Sequence, residues 1–275
     1  MSLELARVKL RGIYAIVAGA VLLLGIPLYQ SLFFANTGYT AAVDSISKRE
    51  DFKPLLAWIS QHTGADVTSR LLYLLPLLAM ITLPGSLRRV LWPGEATGGR
   101  VMVWSGRIGF GCYALASVVG IIASVGGAAS YKPTSPSNSG PVAGFATAYA
   151  WNSLLAHIIG GALIALCILL VSLRILRAQM VLPWLGILGL LETALLAIVA
   201  IQYSAGLKQA QTTLQPFSFV MLALWLISIG TQLAWLRALP GATTTASAAS
   251  GDATANSAGA SRQSAGQAPS ARTRQ

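Results

Sequence analysis

The sequence predicts an all-α, polytopic membrane protein: six transmembrane helices in one bundle, with both termini cytoplasmic. Three observations carry this. Of 275 residues, 55% are apolar and 10% charged, against roughly 45–50% and about 25% in ordinary soluble domains. Six long, mostly uncharged runs recur along the chain, each close to the ~20 residues that cross a hydrocarbon core about 30 Å thick. Arginine and lysine gather in alternate connections, the asymmetry of a chain whose cytoplasmic loops retain positive charge.

The first span, about 12–34, follows Arg7, Lys9 and Arg11. A basic start followed by an apolar run resembles a signal peptide, but Ile13 to Phe34 exceeds the roughly 7–15 residues of a signal core, so the segment is read as a retained span. The other spans fall at about 70–91, 104–127, 149–173, 181–204 and 216–238, giving a transmembrane domain over 1–240. An even number of spans puts both ends on one side. The N-terminus, the 88–107 region, the 174–177 turn and the tail from Arg237 hold thirteen of the nineteen basic residues. That side is therefore cytoplasmic and the membrane is the plasma membrane, with the net charge of +11 serving mainly as a topology signal.

Residues 35–69 form the longest outer connection. Within it, Asp51 to Gly64 reads as a short amphipathic helix, with Pro54 in its first turn, Gly64 after its end, and Phe52, Leu55, Leu56 and Ile59 on one face. It is expected in the outer interface with Trp58 near headgroup level, as a brace or as a lid over a cavity. Gly126–Gly144, rich in Gly, Ser and Pro, reads as a flexible loop. The stretch 241–275, without an aromatic residue, is expected to be a disordered cytoplasmic tail.

Composition excludes several chemistries. Two histidines and two cysteines do not make a four-ligand zinc site unaided, and no phosphate-cradling, zincin or nucleophile-elbow motif occurs. No cofactor or metal is expected. The basic residues form no face on a soluble domain, so nucleic acid is excluded as a partner; the expected partners are the bilayer and either another membrane protein or a second copy.

Inside the spans, Glu192 stands near the middle of the fifth, in an uncharged run from Ala178 to Leu207. A carboxylate there must be neutral, paired or turned toward water inside the protein. Aligning span ends puts His157 in the fourth span roughly 7 Å further toward the outer face, at about 1.5 Å per residue. A Glu/His pair at that depth relays protons or holds a cationic or hydrogen-bonding ligand; the alternative is a polar clamp between helices. Asn152 and Thr193, next to these residues on the same two helices, complete the candidate set.

Stripes of small residues mark the third span (Gly109, Cys112, Ala116, Gly120, Ala123, Gly127), the fourth (Ser153, His157, Gly161, Ala165) and the fifth (Gly186, Gly189, Thr193, Ala197, Ala200, Ser204). They predict a compact core of these three helices.

The string Ala156-His157-Ile158-Ile159-Gly160-Gly161, with Ser105-Gly106 about fifty residues earlier, resembles the histidine-bearing helix of rhomboid intramembrane proteases. The likeness then breaks. Val103 stands where that family has glycine in G-x-S-G, and Ser105 and His157 fall in opposite halves of the membrane, so no dyad is expected. The reading is a small membrane-embedded binding or transport protein with a polar pocket around Glu192 and His157. The alternatives are a non-catalytic accessory subunit and, third, an intramembrane enzyme.

Overall fold

The computed structural model describes residues 3–94, 97–132, 138–178, 183–206 and 208–236. The tail expected over 241–275 lies outside them. Among the described residues the chain is helical and has six helices long and apolar enough to cross a membrane: α1 (Leu3–Phe33), α4 (Thr63–Leu91), α5 (Thr97–Ser130), α6 (Ser139–Arg177), α7 (Pro183–Ser204) and α8 (Lys208–Ala234, its apolar part beginning at Leu214). Two shorter helices, α2 (Tyr39–Arg49) and α3 (Lys53–Gln61), lie between α1 and α4.

All six expected spans are present, and most are longer than the apolar runs that revealed them. At 34 residues α5 is about 51 Å long, so it protrudes from a core about 30 Å thick. The extensions have local causes. The basic start of α1 stays helical because it packs beside the last turns of α4: Arg11 Nη1 donates to Ser86 Oγ at 3.2 Å, and Arg89 pairs with Glu4 at 2.9 Å. At the same end Arg174 Nε donates to the Leu91 carbonyl at 2.8 Å. The Gly126–Gly144 loop is a correction: α5 runs through Ser130 and α6 begins at Ser139, leaving a connection too short for the loop that composition suggested.

Three irregularities shape the spans. Helix α4 breaks at Ile81 and Thr82, where Pro84 lacks an N–H and its ring crowds the preceding turn. Helix α1 carries a π turn over Val21–Gly25, and α6 carries one over Leu154–Gly160, which includes His157. Such π turns recur at functional sites.

Each span packs against its neighbours in chain order, and α8 returns to α1, closing a ring. The compact trio expected from the small-residue stripes is present in part. Gly109 abuts Ile164 and Gly160 of α6, and Gly186 abuts Leu176 and the Ser172 carbonyl. The closure of α1 on α8 is equally tight: a Cβ at Gly12 would lie 2.7 Å from the Gly230 carbonyl, and one at Gly19 2.7 Å from the Ala223 carbonyl.

Helices α2 and α3 cap the end of the bundle opposite Arg11, Arg89 and Arg174. The chain turns into α2 through Gly38 (φ +81°) and out of it at Glu50 (φ 55°). Leu55, Leu56 and Ile59 face inward as expected, joined by Ala42 and Ile46 of α2, Phe34, and Phe145 of α6. Trp58 is a correction. It is 5% exposed and packed inside the cap instead of lying against the interface, because its ring fills the space between Phe34 and Tyr39, at centroid distances of 4.9 and 4.7 Å. Gly64 is a second: the helix ends at Gln61, and Gly64 belongs to the first turn of α4.

The Trp58 indole N–H donates to Thr37 Oγ1 at 2.9 Å. Thr37→Val removes that acceptor and is expected to cost about 1 kcal/mol. Faster hydrogen exchange over residues 39–61, with the spans unchanged, is the expected signature; unchanged exchange would show that the bond adds nothing to the cap.

Candidate functional site

Beneath the cap, five of the six spans surround a cavity of about 220 Å³. Its walls are Gln30 of α1, Asp66, Ser69, Arg70 and Tyr73 of α4, Tyr113 and Ser117 of α5, Asn152 and His157 of α6, and Gln215 of α8. Phe34 and Tyr39 line it from the side of the cap. This density of polar groups in a membrane bundle is costly unless they bond one another or something held between them.

One side of the cavity is an ion pair. Arg70 Nε donates to Asp66 Oδ2 at 2.7 Å, and the same oxygen accepts Ser124 Oγ–H at 2.6 Å. Asp66 is 4% exposed. The four-residue spacing puts both side chains on one face of α4, and Gly120 of α5 makes room for the guanidinium, since a Cβ there would collide with Arg70 Nη1. Burial, and then the Asp66 carboxylate, push the Tyr39 phenol up to about 12. Tyr39 therefore keeps its proton and presents a neutral O–H.

The other side is built around His157. Its ring stacks on Tyr203 of α7 (centroids 4.1 Å apart, 16° between planes) and meets Tyr113 edge-on at 6.0 Å. Tyr203 O–H donates to Gln215 Oε1 at 2.9 Å, which turns the amide nitrogen of Gln215 toward His157 Nε2 at 3.4 Å. With the amide donating, Nε2 accepts and the ring proton sits on Nδ1. That nitrogen is buried without a partner among the described residues. Asn152 also lines the cavity and ties α6 to α5 by donating Nδ2–H to the Ala116 carbonyl at 2.6 Å.

Glu192 and Thr193 lie elsewhere. Neither is among the residues that line this cavity. Glu192 is fully buried, and Oε1 accepts Ser218 Oγ–H of α8 at 3.1 Å. Among the described residues it forms no ion pair, and Oε2 has no hydrogen-bond partner. Ser172 Oγ and Trp225 Nε1 are also buried and, among the described residues, unpartnered, and both occupy the space a Cβ at Gly189 would need, one turn from Glu192. Thr193 Oγ1 donates to the Gly189 carbonyl of its own helix at 2.8 Å. The expected meeting of Glu192 with His157 is thus replaced by two separate sets of partners: His157 turns to Gln215 and Tyr203, Glu192 to Ser218. Ser105 is equally remote from His157 in its bonding, donating to the Met102 carbonyl of its own helix at 3.1 Å.

Sequence reasoning missed Asp66, Arg70 and Gln215. Asp66 reads as a loop charge and Arg70 as a charge at the outer edge of the second span; the signal that was present is their i, i+4 spacing across that edge. Gln215 carried no such signal. No protein-family model matches this chain, and neither does any curated protein or solved structure.

Proposed function

We propose that this chain is a small membrane-embedded binding or transport protein whose ligand occupies the polar cavity beneath the cap. The observation that carries this reading is the convergence of five spans on one cavity lined by Arg70, Asn152, His157 and Gln215, with His157 Nδ1 buried and unpartnered. A buried donor without a partner costs about 1–3 kcal/mol, which a bound ligand or water recovers. Binding or transport is favoured over catalysis because, among the described residues, His157 hydrogen-bonds an amide and no hydroxyl, thiol or phenol that it could activate. The basic residues gather at the opposite end, which favours a cytoplasmic placement for both termini in the plasma membrane and a cavity on the outer side. Glu192 acts in this reading as a polar clamp joining α7 to α8.

Native mass spectrometry of the full chain, extracted gently from its own membrane, tests this. The expected result is a discrete small-molecule mass that is lost in Gln215→Leu and Asn152→Leu and kept in Glu192→Gln. A stoichiometric protein partner with no retained small molecule would instead make the chain an accessory subunit.

A further inference from the structure

Next to the polar cavity lies a second one of about 530 Å³, inside the range of about 300–1,000 Å³ typical of small-molecule sites. Its distinctive walls are mostly apolar, with Leu22, Ile26 and Pro27 of α1, Val43 of α2, and Pro216 and Val220 of α8, while Thr40 and Asp44 of α2 supply its polar part. The two cavities share Gln30, Tyr39, Tyr73, Gln215 and Phe219, so one set of side chains forms the polar floor of one and the inner wall of the other.

The gap has a backbone cause. From the opposite end of the bundle, α1 and α8 touch at Gly12 and Gly230, then at Gly19 and Ala223, and part beyond the π turn of α1, from Ile26 on. Beyond Gly19, α1 enters its π turn at Val21–Gly25 and reaches Pro27, while α8 carries Pro216 at the matching level. Each device interrupts the regular helical ladder and lets a helix bend. Pro27, Pro216 and Val220 are exposed on the outer surface of two spans, so the apolar cavity opens sideways toward lipid.

We propose that the two cavities form one site for a single-chain amphiphile, its net-neutral hydrogen-bonding head among Tyr73, His157 and Gln215 and its chain between α1 and α8. This rests on the reading of the polar cavity as a ligand site and names the class of ligand. The head is net neutral because the charges facing it are already matched. Asp66 is paired with Arg70, and Asp44, at the edge of the apolar cavity, is paired with Lys48 at 2.9 Å. A further net charge would be buried without a counter-ion. The amides, phenols and imidazole suit hydroxyl, carbonyl or amide groups, each of which both donates and accepts or finds donors among them. Lateral access places the chain in the second cavity without drawing it through water.

The probe is a monoacylglycerol carrying a diazirine midway along its chain, photolysed with the full-length protein in phosphatidylcholine nanodiscs. Labelling of Leu22, Ile26, Val43 and Val220 is expected to exceed that of the lipid-facing Leu75, Ile122 and Ile201 by about tenfold, a ratio that distinguishes a site from bulk contact. Val43→Trp with Val220→Trp is expected to abolish the excess. If that pair does not fold, Gln215→Leu, which removes a head contact, is expected to lower it. Even labelling over all lipid-facing side chains, or an excess unchanged in Gln215→Leu, overturns the proposal. Ser117→Cys, in a background with Cys112 and Cys167 replaced by serine, separates the two readings. Its reaction with a water-soluble thiol reagent, without chain labelling, leaves a polar ligand site and removes the amphiphile; no reaction and no labelling remove both.

Discussion

Arg70→Met is expected to lower stability by roughly 2–3 kcal/mol, below the 3–5 of a fully buried pair because the arginine side chain is 24% exposed. The loss comes from what remains. Asp66, with its side chain 6% exposed, keeps the Ser124 hydroxyl but loses its cation, and an uncompensated buried carboxylate is costly. The double variant Asp66→Leu with Arg70→Met is therefore expected to recover most of the stability, since replacing both members of a buried pair by apolar groups is often nearly neutral. Ser124 then turns to a carbonyl of its own helix. Ligand retention is expected to be lost in both variants. Thermal unfolding in detergent reads the first effect and native mass spectrometry the second. An Arg70→Met protein with unchanged melting would show that the ion pair adds nothing to the stability of the bundle; a double variant that keeps its ligand would remove Arg70 from the site.

Gly230→Ala is expected to cost about 3 kcal/mol, the upper end for overpacking. A methyl there would lie 2.6 Å from the Gly12 carbonyl oxygen and 2.9 Å from the Ile16 amide nitrogen. Both are backbone atoms that cannot rotate aside, so the helix axes must separate. In lipid, close backbone approach is the main source of helix association, and separation forfeits dispersion along the whole seam. Gly126→Ala is the control: nothing lies within 4 Å of a Cβ at that position. Melting temperature and the monodisperse fraction after extraction distinguish the two. Equal behaviour would mean that α1 and α8 are held by something other than the glycine contact.

The two expected results concern parts of the molecule that differ in how far the sequence revealed them. Six apolar runs were sufficient to find six spans, because a bilayer imposes length and hydrophobicity on any helix that crosses it. Positions at which a helix extends past the apolar run were not visible, since a charged turn is compatible with either loop or helix. This is why Asp66 reads as a loop residue and Arg70 as the edge of a span although both are inside α4. Gly126–Ser130 and Ser139–Gly144 read as loop for a different reason, their Gly, Ser and Pro content, although both are helical.

Glu192 and His157 were rightly singled out as buried polar residues, because each is conspicuous against apolar text. Which neighbour each one meets depends on helix rotation and order around the ring, and a linear depth estimate contains neither. Packing of α8 against α7 puts Ser218 beside Glu192, and the place of α8 in the ring puts Gln215 beside His157 of α6.

Span number, approximate span position and the identity of the unusual polar side chains follow from the chain alone, because the bilayer reads them one segment at a time. The cavity under the cap, the pairing of Asp66 with Arg70 and Ser124, and the opening between α1 and α8 arise only when segments far apart in sequence meet. Helix-to-helix contact in lipid is set by small residues and polar partners, not by a hydrophobic stripe that periodicity would show. The residues that close those contacts, Gly12, Gly120 and Gly230, act through the side chain they lack.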